Sequence, residues 1–168
     1  NIYVLQNDIN KSIKLLINYL KNIFDEDISN QAAKICFKFK LRKDFNKLIE
    51  ITKLTNKTFN KEKKYLFFIN AQFHEIEQNF NEAKQSYKNS ILCDNLYFDA
   101  YINLLNLYES TNDISNLKLL IESAYENFKD KEEENILNFF DSLRLNRENK
   151  FKESENLILT SNLENAFK

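Results

Sequence analysis

Few residues in this chain have both the type and the surroundings to do chemistry. His74 is the single histidine, and so the one side chain that titrates near neutrality without help. A catalytic role would need a nucleophile or carboxylate facing it. Glu75 and Glu77 are close in sequence, but adjacent residues on a helix do not face each other, and Gln78 at the next turn is no nucleophile. His74 therefore reads as a packing residue, and carboxylates alone would make a poor set of further metal ligands. Cys36 and Cys93 stand alone in the chain. Neither a C-x-x-C redox pair nor a cysteine-rich zinc site is available to them, so both read as small apolar residues. Asp130 with Glu132, Glu133 and Glu134 opens an expected helix, where negative charge favours the N-terminus. No catalytic residue, no metal and no cofactor is expected, and the chain is not read as an enzyme.

Composition narrows the field further. The 168 residues contain no glycine, proline, methionine or tryptophan. Scarce Arg beside abundant Asn, Lys, Ile, Phe and Tyr is what an A/T-rich genome would encode. Without glycine there is no P-loop, no G-x-G-x-x-G fingerprint, no nucleophile elbow and no standard EF-hand loop, since Cβ would obstruct each of these backbones. A fold needing many positive-φ turns could not dispense with Gly so readily as helices packed on helices. The absent initiator Met suggests an excised or processed chain. Lys and Arg number 24 against 25 Asp and Glu, which lacks the basic excess of a nucleic-acid binder. The longest apolar runs, such as 65–69, fall far short of the roughly 18 to 20 residues that span a bilayer.

The elements that hold these residues announce themselves through a repeat. The pattern reads Asn7-Asp8-Ile9-Asn10, Lys43-Asp44-Phe45-Asn46, Gln78-Asn79-Phe80-Asn81, Asn112-Asp113-Ile114-Ser115 and Asn149-Lys150-Phe151-Lys152. Its large apolar residue returns after 36, 35, 34 and 37 residues, the period of a helix-turn-helix repeat. In each copy a polar pair is expected to end one helix and cap the next, with the Phe or Ile anchoring the turn in the core. Asn7, Asn112 and Asn149 stand where glycine would take the left-handed conformation. Lys43 and Gln78 suit that role less, which predicts tighter or strained turns. Helical spacing of apolar residues predicts helices near 9–24, 30–42, 45–55, 61–77, 80–93, 96–110, 114–128, 132–147 and 151–161.

Residues 64–128 resemble the tetratricopeptide repeat family. One unit supplies Phe67, Ala71, His74, Ala83, Tyr87 and Ser90, and the next Tyr101, Leu105, Tyr108, Leu117, Ile121 and Ala124, at the family's large, small, aromatic, Ala, aromatic and Ala positions. The family's small eighth position falls on Cys36, Ala71, Leu105 and Ser142, and Leu105 should hold its helix pair apart. Asn95 replaces the family's proline, with Asp94 beside it to cap the following helix.

The resemblance implies an all-α fold, a right-handed superhelical array of antiparallel helix pairs. It would form a single domain over 1–168 of about four and a half repeats: 1–24 in part, 30–55, 61–93, 96–128 and 132–161. Both ends look cut, 2–5 as the tail of a first helix and 162–168 as the start of another. The family's groove-facing positions map to Ala33, Phe37 and Lys40; Phe68, Gln72 and Glu75; Ile102, Asn106 and Glu109; and Phe139, Leu143 and Asn146. These are mostly apolar at the fifth and ninth positions, so the Lys/Asn clamp with which chaperone-binding members hold a C-terminal carboxylate is missing. The expected function is a scaffold whose concave groove binds an apolar or amphipathic peptide or helix of another protein. The alternatives are a self-associating spacer, a homo-oligomer included, or the helical appendage of a larger protein. Ten basic residues between Lys38 and Lys64, against three acids, read as a solvated face before a docking patch. The compartment stays open between the cytoplasm and an exported or membrane-tethered setting whose targeting segment was removed.

Overall fold

The computed structural model describes residues 9–23, 25–55 and 63–161. Among these the chain is all-helical, in the order α1 Ile9–Asn22, α2 Glu26–Lys38, α3 Arg42–Thr55, α4 Lys64–Ile76, α5 Phe80–Cys93, α6 Phe98–Ser110, α7 Ile114–Asn127, α8 Lys131–Arg147 and α9 Phe151–Thr160. Contacts gather into two compact units, Asn1–Asp94 and Asn95–Lys168.

Four helix pairs are joined by the same turn. Lys40, Gln78, Asn112 and Asn149 have φ of 55°, 58°, 53° and 61°, in the left-handed region. In each turn the left-handed residue donates its N–H to the carbonyl three residues back, and the next residue reaches five back. Gln78 N–H to Glu75 O is 2.9 Å and Asn79 N–H to His74 O is 2.8 Å; Leu41 to Cys36, Asp113 to Tyr108 and Lys150 to Leu145 repeat the longer bond at 2.8, 2.8 and 2.9 Å. This is the Schellman cap, built here without glycine. The expected left-handed Asn112 and Asn149 are found there, while the Asn7 turn lies outside the described residues. Gln78 takes the strained conformation that its side chain suits poorly.

The first described turn departs from the expected register. Its left-handed residue is Lys40, not Lys43, and the pair runs from 26 instead of 30. The physical reason is capping at both ends. The Asp25 carboxylate accepts the Ile28 N–H at 2.9 Å and starts α2 early, and the Cys36 to Leu41 bond ends it at Lys38. Lys43-Asp44-Phe45 imitates the turn motif in composition but already lies inside α3.

Counting from the left-handed residue aligns the second helices. The matching positions are Phe45, Leu48, Ile49 and Thr52 in α3; Ala83, Ser86, Tyr87 and Ser90 in α5; Leu117, Leu120, Ile121 and Ala124 in α7; and Ser154, Leu157, Ile158 and Ser161 at α9, all buried or half-buried except the exposed Ile158. The same spacing in α1 gives Ile13, Leu16, Ile17 and Leu20, all buried. The repeat's anchor is therefore Phe45, Ala83, Leu117 and Ser154, all buried, and not the Phe or Ile three positions earlier. Phe80 and Phe151 are 43% and 62% exposed.

Capping by the turn's polar pair is also corrected. Neither Asn79 nor Asp113 caps with its side chain; Asp113 instead accepts Asn116 Nδ2 at 2.9 and 3.1 Å. Asp94 does not cap α6, which opens after Tyr97; it pairs with Lys64 at 2.5 Å. Asp130 does cap α8, accepting the Glu132 N–H at 2.9 Å.

In the first unit α1 packs on α2 and α3, α2 on α3 and α4, and α4 on α5. The α4/α5 pair shares the most extensive interface, because Ala71, Ala83, Ser86 and Ser90 keep the two backbones close. Asn70 Nδ2 donates to Ser86 Oγ at 2.9 Å, and Ser90 Oγ donates to Lys64 O at 2.7 Å, so these small polar residues are buried with their bonds made. In the second unit α6 packs on α7 and α8, α7 on α8, and α8 on α9. Leu105, fully buried, stands at α6 where α4 has Ala71. Phe128 plugs the end of the α6/α7 pair, with its ring centroid 4.8 Å from Phe98 and 5.1 Å from Tyr101. Rings meeting edge to face in this way add to the apolar burial.

Candidate functional site

The residues expected to line a groove sit on the first helices of the pairs, and the structure treats them unequally. In the first unit Phe37 on α2 is half-buried, edge to face with Phe73 of α4 at 5.4 Å. Phe68 on α4 is buried at 8% exposure, with Tyr87 of α5 at 5.7 Å and Tyr65 at 6.3 Å. Its ring is committed to the α4/α5 core. Lys40 is not on the helix face at all, since it is the left-handed residue of the α2 cap. Gln72 is half-buried. Glu75 is half-buried too and accepts the Tyr87 hydroxyl at 3.0 Å. Burial raises the Glu75 carboxyl above its ordinary range, and the tyrosine bond opposes that rise.

The corrected register replaces two of these residues, Ala33 and Lys40, and moves Phe37 to another position. With Lys40 as the left-handed residue, Asn30, Lys34 and Phe37 of α2 correspond to Phe68, Gln72 and Glu75 of α4, and Ala33 replaces Cys36 as the counterpart of Ala71. Sequence reasoning missed Asn30 and Lys34. The Lys34 ammonium stands 5.3 Å from the centre of the Tyr65 ring, a cation held over a π-face. The signal that would have found them is Asp25, an N-cap residue five positions ahead of the expected helix start.

In the second unit Ile102, Phe139 and Leu143 are half-buried, Asn106 and Asn146 exposed. Glu109 of α6 is bridged to Arg147 of α8, Oε1 to Nη2, at 2.6 Å. The pair joins the two first helices of this unit, so Glu109 is partly neutralised. Beside it, Arg144 is buried and held by Asp141 at 2.7 Å and Glu148 at 2.9 Å.

His74 leads to an arrangement unlike its expected aromatic-type packing role. It is half-buried at the end of α4, with Arg42 of α3 across from it. Arg42 Nη1 donates to Asn70 Oδ1 at 2.7 Å, Nη2 lies 3.1 Å from His74 Nε2, and Nε lies 3.3 Å from Glu77 Oε1. The guanidinium also lies 5.1 Å from the Phe73 ring centre and 5.9 Å from that of Phe45. Five side chains from two adjacent pairs thus converge on one arginine. Glu77 Oε2 also stands 3.5 Å from His74 Nδ1, so this carboxylate, three residues on, does face the imidazole, which corrects the expectation from sequence. Together these contacts tie α3 to α4.

The thiols are placed as sequence reasoning expects. Cys36 is buried and Cys93 partly so, both free. Burial, aided by Asp44, pushes the Cys36 thiol up to about 12, which removes the reactive thiolate at neutral pH. The basic stretch is partly tied down: Arg42 as above, Lys47 to Asp44 at 3.1 Å and Lys64 to Asp94; Lys57, Lys61 and Glu62 lie outside the described residues. Among the described residues no group of three or more His, Cys, Asp or Glu could hold a metal ion. No described helix is long and apolar enough to cross a membrane. No family model, curated protein or solved structure matches the chain.

Proposed function

We propose that the chain is a tetratricopeptide-like interaction scaffold whose first helices receive an apolar or amphipathic segment of another protein. The observation that carries this reading is the common register of the helix pairs, with one Schellman turn repeated at Lys40, Gln78, Asn112 and Asn149. Stacked pairs of this kind bury their second helices and leave one face of each first helix to line a shared surface. In the first unit that face offers the half-buried Phe37 and Gln72. In the second it offers the half-buried Ile102, Phe139 and Leu143, with Asn106 and the Glu109–Arg147 bridge as polar fixers. An amphipathic helix is recognised by such a mixture of apolar anchors and sparse polar contacts.

The test pairs Ile102→Asp with Leu143→Asp and compares capture of partner proteins with the wild type, the bound proteins being identified by mass spectrometry. A partner retained by the wild type and by Lys118→Glu, on the exposed side of α7, should be lost from the double variant while helicity is unchanged. Equal capture by all three removes the first-helix face as the binding surface.

A further inference from the structure

We infer that copies of this chain associate head to tail, with the exposed apolar flank of α1 in one copy seated on the exposed apolar flank of α9 in the next. This concerns the two terminal helices and does not depend on the first-helix face proposed above.

At α9 the observation is a break in the register. The position held by Tyr87 and Ile121, 0% and 2% exposed, is held in α9 by Ile158 at 41%. One residue further, the other second helices and α1 carry Asn18, Glu50, Lys88 and Glu122. There α9 carries Leu159, 73% exposed. With Phe151 and Glu155 these line a cleft of about 280 Å³ against Asn146 of α8. On α7 the positions of Glu155 and Leu159 are held by Lys118 and Glu122, both exposed and paired with each other at 3.9 Å, so α9 is apolar at Leu159 where α7 is charged.

At α1 the opposite flank is bare. Leu15, Tyr19 and Ile23 are 63%, 43% and 57% exposed and follow one another at four-residue steps, so they form a single stripe. Ile23 corresponds to Asn127 of α7, whose amide donates to Tyr101 of α6 at 3.1 Å. At its Ile23 end that flank lies where α7 meets its own first helix, and no described residue covers it in α1. At the Leu15 position α3 and α5 carry the exposed polar residues Lys47 and Gln85.

Charge selects a second copy as the occupant. The unit Asn1–Asp94 contains 16 Lys and Arg against 11 Asp and Glu, net +5, and the unit Asn95–Lys168 contains 8 against 14, net −6. The helix α1 itself carries Lys11, Lys14 and Lys21 and no acid, whereas α9 carries Glu153 and Glu155 against Lys152, with Glu155 the one charged residue lining the cleft among the described residues. A basic unit meeting an acidic one steers the ends together. The two surfaces differ, so the contact is heterologous and can propagate into open chains of copies.

Analytical ultracentrifugation of the chain over a dilution series at low salt should show mass rising beyond a dimer, with growth suppressed about tenfold or more at high salt. Leu15→Glu with Tyr19→Glu blocks the α1 end, and Phe151→Lys with Leu159→Lys blocks the α9 end; all four positions are exposed, and circular dichroism checks that each variant is folded. Each double variant alone should be monomeric, and an equimolar mixture should form a dimer that grows no further, because one intact end of each kind remains. A monomeric wild type, a wild type that stops at a closed dimer, or folded single-end variants that associate as before would each overturn the proposal. Ile102→Asp should leave this association unchanged, which separates its outcome from that of the groove test.

Discussion

Arg42 Nη2 lies 3.1 Å from His74 Nε2, and this contact fixes the state of the imidazole. A guanidinium can only donate, so Nε2 is the acceptor and the ring proton sits on Nδ1. That nitrogen faces Glu77 Oε2 at 3.5 Å, too far for a strong hydrogen bond, and has no other partner. A clamp between α3 and α4 thus depends on one histidine remaining neutral.

Stability should therefore fall on acidification in a way that His74 accounts for. Burial first, and then the Arg42 charge, lower the His74 pKa from its ordinary 6.5, with Glu77 and Glu82 opposing. The unfolded chain then binds the proton more readily than the folded one. The contribution of His74 is fully present above about pH 6.5 and is lost as pH falls from there through the folded pKa. Urea unfolding at about pH 7.5 and about pH 5.5 should show a larger loss in the wild type than in His74→Gln. Equal losses would remove the histidine from the account.

Left-handed residues that are not glycine carry a steric cost of about 1 to 2 kcal/mol. Gln78, at φ 58°, lacks even the tolerance of asparagine. Gln78→Gly should stabilise the protein by about 1 kcal/mol and raise Tm by about 2 to 4 °C. The same change at Asn112 should do less. A thermal melt in which Gln78→Gly is neutral or destabilising would contradict the strained-turn reading.

The shift of register in the first described pair makes unequal predictions for two phenylalanines that look alike in sequence. Phe45 is fully buried and 5.1 Å from Phe73, whereas Phe80 is 43% exposed. Phe45→Ala should cost about 3 to 5 kcal/mol, and Phe80→Ala under about 1 kcal/mol. Similar losses in denaturant titrations would restore the register in which both residues anchor a turn.

Much of the helical order was legible because side-chain periodicity and turn spacing are local properties. Asn112 and Asn149 marked their turns since asparagine tolerates the left-handed region. Lys40 did not, because the backbone bonds of a Schellman cap leave no fingerprint when glycine is absent. Its neighbour Lys43-Asp44-Phe45 therefore attracted the register, and Lys40 was carried onto a helix face that it does not occupy. The Arg42 clamp was illegible for a different reason: its partners Asn70, His74 and Glu77 come from another pair, and no local pattern reports which helix lies opposite. Phe68 illustrates a third limit, since a ring at a nominal groove position can turn into its own pair when Tyr87 is there to meet it.

The pairwise packing described within each unit also sets the order in which the chain can acquire structure. Each extensive contact joins helices no more than two apart in sequence, so few long loops must close before burial begins. The α4/α5 hairpin holds its main contacts between residues 64 and 93 and can collapse once those residues have emerged during synthesis. A nascent chain with this wiring need not keep its aromatic faces exposed while it waits for a distant partner, which lowers its risk of aggregation on the ribosome.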